Sequence, residues 1–159
     1  MVKIWVEDLG SMFYRDEGAS GGIRARHLSI SDSFMTEDCW GDYQVNLRET
    51  NMRLGIACLE KMVEQLRFNI CGLEDSRLAN ADVKDLASRI KENISDALHY
   101  TCLHWSNHLC FTSYTAEELV WDKLKKFFEG PYVLFWVEVL RILGMLQIGV
   151  PSLRELISQ

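Results

Sequence analysis

Apolar residues that recur every three or four positions restrict the fold of this chain more than any other feature. One such series covers residues 52–66 and a second covers residues 83–109. Side chains at this spacing lie on one face of an α-helix, so both stretches are predicted to be amphipathic helices. We expect the second to divide near Ser95. The stretch between them, "NICGLEDSRLANAD", contains helix-breaking residues and is predicted to be a connector.

Helix-terminal residues predict where these and further helices begin and end. Asp82 is placed to cap the second series. In "TAEELVWDKLKKFFEGP", Thr115 and Glu118 form a capping box and the final Gly-Pro pair ends the helix. A nearly all-apolar helix follows through Leu146, and Pro151 is expected to open the last helix at its first turn. The apolar stripe predicted for the capped helix consists of Leu119, Leu124, Phe127 and Phe128.

The N-terminal part has a different pattern. "SMFYRD" and "GIRARHL" flank the glycine-rich "EGASGG", which predicts a β-hairpin. "SISDSF" follows and is predicted to be a short helix with Ser29 as its N-cap. The expected fold is therefore mainly α: a small N-terminal β-hairpin in residues 1–46, then a multi-helix bundle or superhelical arm in residues 47–159.

Charge and composition exclude several classes of protein. The net charge is −6, and 17 basic residues are scattered among 23 acidic ones, which disfavours nucleic-acid binding, a winged-helix DNA reader included. The most apolar segment, "YVLFWVEVLRILGMLQIGV", contains Glu138 and Arg141, so we predict a buried helix and no membrane span. The five cysteines include no C-x-x-C pair, which favours a reducing, cytoplasmic location.

No motif predicts catalysis, a cofactor or a metal site. P-loop, dinucleotide-binding, nucleophile-elbow and zinc-protease patterns are all missing from the sequence. His104 and His108 share a helix face, with Cys102 and Cys110 on either side. His104 nevertheless lies roughly 200° around the helix from Cys102, so these four residues do not converge as zinc ligands. We predict no catalytic residue, no cofactor and no metal site.

Several phrases of the sequence, in their order, carry a resemblance to a known family. They are "LSISDSF", "YQVNL", "LGIACLEKMVEQLRFNICGLEDSRLANADVKDLASRI", "ISDALHYTCLHWSNHL" and "FFEGPYVLFWVEVLRILG". Together they resemble the segment that follows the nucleotide-binding core in NACHT-type STAND NTPases of mushroom-forming fungi, which are relatives of the NOD-like receptors. The resemblance extends from about Trp5 to Ile157. It implies the end of a winged-helix domain followed by a helical arm, with the P-loop and its partner acids lying upstream.

The resemblance also implies a role for one histidine. In related NTPases a histidine at the end of the winged-helix hairpin contacts the β-phosphate of bound ADP and holds the closed state. His27 occupies the matching position, although Arg26 and Leu28 replace the usual Met and Asp beside it. An imidazole N–H can donate to a phosphate oxygen. The alternative interpretation of His27 is a structural histidine between hairpin and helix.

Two functions follow as hypotheses. In the first, the chain is a non-catalytic regulatory and scaffolding module that contacts a NACHT nucleotide-binding domain and downstream repeats, within one polypeptide or in trans. In the second, it is a free-standing helical protein–protein interaction domain, as a homodimer or a decoy for longer relatives. The first hypothesis predicts an exposed apolar surface where neighbouring domains would pack, which we place at Trp5, Phe13, Trp136 or the last helix.

Overall fold

A computed structural model of the chain describes residues 11–15, 23–35, 46–75, 77–110 and 118–157. Contacts between Cα atoms divide the chain into two compact units, residues 1–47 and residues 48–159. The sequence placed this boundary after residue 46. Within the described residues the fold is mainly helical with one small antiparallel β-hairpin, which confirms the predicted fold class.

The described part of the first unit is a hairpin followed by a helix. Strands β1 (Phe13–Arg15) and β2 (Ile23–Ala25) pair antiparallel, with Phe13 opposite Ala25. Helix α1 (Leu28–Met35) follows β2 after two intervening residues. Ser29 therefore lies inside the helix and is not its N-cap, so that prediction was wrong. The helix begins two residues earlier than this cap predicts, and the Ile30 N–H donates to the carbonyl of His27 at 3.1 Å in its first turn.

The remaining six described helices are arranged in the order of the predicted series. They are α2 (Leu47–Gln65), α3 (Leu86–Asn93), α4 (Asp96–Cys110), α5 (Glu118–Glu129), α6 (Tyr132–Ile142) and α7 (Leu146–Ile157). A 3₁₀ turn at Asn80–Asp82 precedes α3. The predicted division near Ser95 is confirmed, since Ser95 Oγ accepts a hydrogen bond from the Leu98 N–H at 3.1 Å at the start of α4.

Helix α4 lies at the centre of the second unit and packs against α6 and α7. Its Trp105 is fully buried and meets Phe127 of α5 at 5.2 Å between ring centroids. Trp136 of α6 contacts Trp105 edge to face at 5.6 Å. Such tilted and edge-to-face pairs add to the energy of burying aromatic area. Helix α2 crosses α4 closely at Gly55, where an added Cβ would lie only 2.4 Å from Leu109 Cδ2.

The connector after α2 is held by side chains that bond to backbone. Asn69, whose φ is 49°, exchanges two hydrogen bonds with the backbone of Leu73, and Gly72 has a φ of 59°. Asn80 Nδ2 donates to the carbonyls of Arg141 and Ile142 at 2.9 and 3.0 Å. Both carbonyls lie in the last turn of α6, and that of Arg141 also accepts the Gly144 N–H at 3.0 Å. The connector is therefore tied to the core through this helix terminus.

Three predicted helix details were wrong. The apolar helix was expected to continue through Leu146, but α6 ends at Ile142 and Leu146 begins α7. The residue before α3 is Asp85, with a φ of 56° and no side-chain cap, while Asp82 belongs to the 3₁₀ turn. Pro151 lies within α7, which begins five residues earlier at Leu146. A new helix can begin at Leu146 because Gly144 takes a φ of 71° and separates α6 from α7.

The apolar stripe of α5 also differs from its prediction. The residues that it buries are Val120, Leu124 and Phe127, whereas Leu119 and Phe128 are about half exposed. Positions 120, 124 and 127 follow the i, i+4, i+7 spacing and lie on the face of α5 that packs against the core. The predicted Thr115 cap lies outside the described residues.

Candidate functional site

The end of the hairpin brings Arg26 and His27 together at the start of α1. The Arg26 N–H donates to the carbonyl of Met12 at 2.9 Å, which closes the hairpin. The Arg26 guanidinium lies over the Tyr14 ring, 5.8 Å from its centroid. Both the Arg26 and the His27 side chains are exposed. The hairpin and the first turn of α1 thus leave two consecutive nitrogen-rich residues exposed.

This arrangement can offer hydrogen-bond donors to an anion. The first N–H groups of a helix have no partner within it and carry a partial positive charge. An imidazole and a guanidinium beside them add donors suited to phosphate oxygens. Arg26 and His27 directly precede α1, a helix of eight residues, and their side chains can donate hydrogen bonds to an anion.

The three aromatic residues predicted to form an apolar interaction surface are buried or half-buried where the structure describes them. Trp5 lies outside the described residues. Phe13 is half-buried in β1. Trp136 has 0 % exposure and donates its indole N–H to the carbonyl of Cys102 at 2.8 Å. The prediction of Trp136 as a surface residue was wrong, because α4 and α7 both pack on the face of α6 that carries it.

Apolar side chains other than Trp136 are exposed. Phe68, after α2, is 78 % exposed, and Leu134 on α6 is 71 % exposed. Val137 lies one turn after Leu134 on the same outward face of α6 and is also exposed. The nearly all-apolar sequence of α6 gave no signal to separate this face from the face of Trp136. Leu134 and Val137 are the candidate contact residues that sequence reasoning missed.

A polar cluster on α4 was also missed. The Nδ1–H of His108 donates to Asn51 Oδ1 on α2 at 2.9 Å, and the Tyr100 hydroxyl donates to His108 Nε2 at 2.8 Å. The ring of His104 lies 4.7 Å from that of Tyr100. Burial lowers the pKa of His108, and the neighbouring charge of His104 lowers it further. The i, i+4 histidine spacing was visible in the sequence, but Asn51 lies 57 residues away from His108.

The cysteines do not join the histidines of α4. Cys102 is buried on the core side, and Cys110 is half-buried. Burial raises the pKa of Cys58 to about 11, and burial together with Cys58 raises that of Cys102 to about 12. Such thiols stay protonated at neutral pH and are poor nucleophiles and poor metal ligands. Across the described residues, no three His, Cys, Asp or Glu side chains form a group that could hold a metal ion.

Comparison with known proteins finds none that is similar to this chain. The chain matches no protein-family model, no curated protein and no solved structure. As far as the described residues extend, no helix is both long and apolar enough to cross a lipid bilayer.

Proposed function

We propose that the chain is a non-catalytic regulatory and scaffolding module of a NACHT-type signalling NTPase in the cytoplasm. The observation that carries the proposal is the exposed Arg26–His27 pair at the first turn of α1, directly after the hairpin. The family resemblance of the sequence supports the same assignment. In this role His27 donates to the β-phosphate of ADP bound by a neighbouring nucleotide-binding domain, and Arg26 adds positive charge beside the phosphate.

A relay of this kind needs an interface with two arrangements of different free energy. A nucleotide shifts such an equilibrium only through contacts that differ between the two states. In the ADP state the His27 contact stabilises the closed arrangement. Exchange of ADP for ATP removes that contact and allows the helices to bind downstream repeats instead. The exposed apolar residues Phe68 and Leu134 supply surface that such rearranged contacts can bury.

The test is nucleotide binding by isothermal titration. ADP and ATP with Mg²⁺ are titrated into the chain alone, and into the nucleotide-binding domain of its NACHT protein with the chain added in trans. We expect no binding by the chain alone and tighter ADP binding by the domain when the chain is present. His27→Ala should remove this gain, because it removes the phosphate donor.

The matched control is His99→Ala, which removes a histidine from the helical unit and leaves the hairpin unchanged. It should preserve the gain in ADP affinity. An unchanged ADP affinity on addition of the chain contradicts the proposal, and so does an unchanged gain in His27→Ala.

The second candidate is a free-standing helical interaction domain that forms a homodimer. The adjacent exposed residues Leu134 and Val137 on α6 favour it, since a helix face of this kind is typical of a contact between protein surfaces. Sedimentation equilibrium tests it. A dimer that Leu134→Glu converts to monomer, while Leu119→Glu on α5 does not, supports this candidate, and a monomer at all concentrations contradicts it.

A further inference from the structure

Residues 77–85, which we call the strap, lead from the connector to the start of α3 without entering the apolar core. Among the described residues, the core and the side chains packed against it include Leu73 and Leu86 but no residue between them. Within the strap Asn80 and Val83 are half-buried, and the other residues are exposed. A recess of about 300 Å³ lies between the strap and Arg89 of α3. Burial of apolar area therefore contributes little to holding the strap in place.

The backbone hydrogen bonds that the strap amides donate are local. The Asp82 N–H donates to the Ala79 carbonyl at 2.9 Å, and the Val83 N–H donates to the Asn80 carbonyl at 3.4 Å. Both acceptors lie within the strap itself. These bonds shape its 3₁₀ turn, but they do not attach it to another helix.

Three hydrogen bonds, which we call the latch, join the strap to the C-terminal end of α6. Asn80 Nδ2 donates to the carbonyls of Arg141 and Ile142 at 2.9 and 3.0 Å. In return, Arg141 Nη2 donates to the Leu78 carbonyl at 2.7 Å. In the part of the chain that the structure describes, no other side-chain hydrogen bond links the strap to α6. The attachment is thus polar and confined to a few atoms.

The end of α6 is formed by its own residues. The Met145 N–H donates to the Leu140 carbonyl at 2.7 Å, and the Gly144 N–H donates to the Arg141 carbonyl at 3.0 Å. With Gly144 at a φ of 71°, these two bonds make a Schellman motif, which ends a helix without outside help. The Ile142 carbonyl lies beyond them and accepts from Asn80. Loss of the latch therefore leaves α6 folded.

We propose that the strap opens locally while the helices stay folded, and that the latch sets how often it opens. Gly72, with a φ of 59°, precedes the strap, and Asp85, with a φ of 56°, ends it; these two residues are its hinges. A segment with few buried apolar contacts opens at a lower free energy than the core around it. Opening releases the Arg141 guanidinium and the last carbonyls of α6 for other contacts.

Native-state amide exchange of the full chain, followed by nuclear magnetic resonance, tests the opening. The Asp82 and Val83 amides report on the strap, and the Trp105 amide of α4 reports on the core. We expect the strap amides to be protected, but at least about a hundredfold less than the Trp105 amide. Urea below the unfolding transition should accelerate exchange at Trp105 and leave the strap amides nearly unchanged, because opening exposes little surface.

Asn80→Ala tests the latch, since it removes two side-chain donors and keeps the acceptors of both reporter amides. It should accelerate exchange of the strap amides by about tenfold. Exchange at Trp105 should rise by a similar factor, because the latch is also lost on global unfolding. Arg141→Met should act in the same direction.

Two variants serve as matched controls. Ile56→Val on α2 weakens the core and should accelerate exchange at Trp105 several-fold while leaving the strap amides unchanged. Arg77→Ala removes a strap side chain that pairs only with Asp75, and it should change neither rate.

Three results would overturn the proposal. The first is equal protection and equal urea dependence of the strap and Trp105 amides, or no protection of the Asp82 amide at all. The second is unchanged strap exchange in Asn80→Ala. The third is acceleration of strap exchange by Ile56→Val to the same extent as exchange at Trp105. The experiment involves neither nucleotide nor His27, so this proposal and the regulatory function can fail separately.

Discussion

At the scale of the residue, Trp136 combines full burial with a hydrogen bond from its indole N–H to the Cys102 carbonyl at 2.8 Å. Trp136→Phe removes this bond and leaves part of the indole volume empty between α4 and α6. We expect the free energy of unfolding to fall by about 1–3 kcal/mol. Urea denaturation measures the change. The control Trp121→Phe, at a side chain that is 53 % exposed, should alter it by about 0.5 kcal/mol or less; equal losses would contradict the buried role of Trp136.

Cysteine reactivity is a second prediction at this scale. Burial raises the pKa of Cys58 from 9.0 to about 11 and, with Cys58 contributing, that of Cys102 from 9.0 to about 12. At about pH 8 iodoacetamide should therefore modify neither thiol in the native chain, while half-buried Cys110 reacts faster. Peptide mass spectrometry measures the rates, and all three should react alike in urea. Rapid native modification of Cys102 would show that the core opens readily.

The sign of the corresponding stability change follows from the same pKa values. The folded state favours the protonated thiol, so the folded pKa lies above the unfolded one. The contribution to stability is complete below about pH 9 and is lost as the pH rises towards 11 and 12. The thiols thus add no pH dependence in the neutral range.

At the scale of the element, the crossing of α2 and α4 depends on Gly55. A Cβ at this position would lie 2.4 Å from Leu109 Cδ2 and 2.9 Å from Leu109 Cγ. Gly55→Ala should lower the free energy of unfolding by about 1–3 kcal/mol, although alanine is the better helix former. A double-mutant cycle with Leu109→Ala measures the contact, since the smaller side chain makes room for the new methyl group. The double variant should lose less stability than the sum of the single losses, and strict additivity would contradict the close crossing.

Helix positions were predictable wherever a local pattern specifies them. The apolar series of α2 lies entirely within one segment, and the break near Ser95 and the hairpin strands are local as well. The start of α7 was not predictable from Pro151, because proline at a first turn is only a preference. The turn at Gly144 and the packing of α7 on α4 and α6 determine where this helix begins.

The candidate sites divide in the same way. Arg26 and His27 are neighbours in the chain, so the sequence alone could place them together at the start of α1. The bond between Asn51 and His108 joins residues 57 apart, and the contact between Asn80 and Arg141 joins residues 61 apart. Such pairs depend on how the helices pack, and no periodicity in one segment encodes them. For the same reason, the outward face of the apolar helix α6 could not be separated from its buried face.

At the scale of the whole molecule, the described core belongs to the helical unit alone. Its buried and partly buried residues all lie between Met52 and Leu153. A chain that starts at Asn46 and so lacks the hairpin should therefore keep its cooperative thermal transition. We expect the melting temperatures of the full and the shortened chain to differ by about 2 °C or less, because the deletion removes no residue of the described core. A loss of about 1 kcal/mol would shift the melting temperature of a domain of this size by several degrees. Differential scanning calorimetry of both chains measures the difference.

A second truncation gives the matched comparison for this experiment. A chain that ends at Gly144 lacks α7, which packs against both α4 and α6. It uncovers apolar residues of the core and should melt far lower, or lose its cooperative transition. A melting temperature that falls equally in the two truncations would show that residues 1–45 also stabilise the helices. His27 would then lie in a segment that stabilises the helices. A loss of ADP coupling in His27→Ala would have to be compared with the stability of that variant.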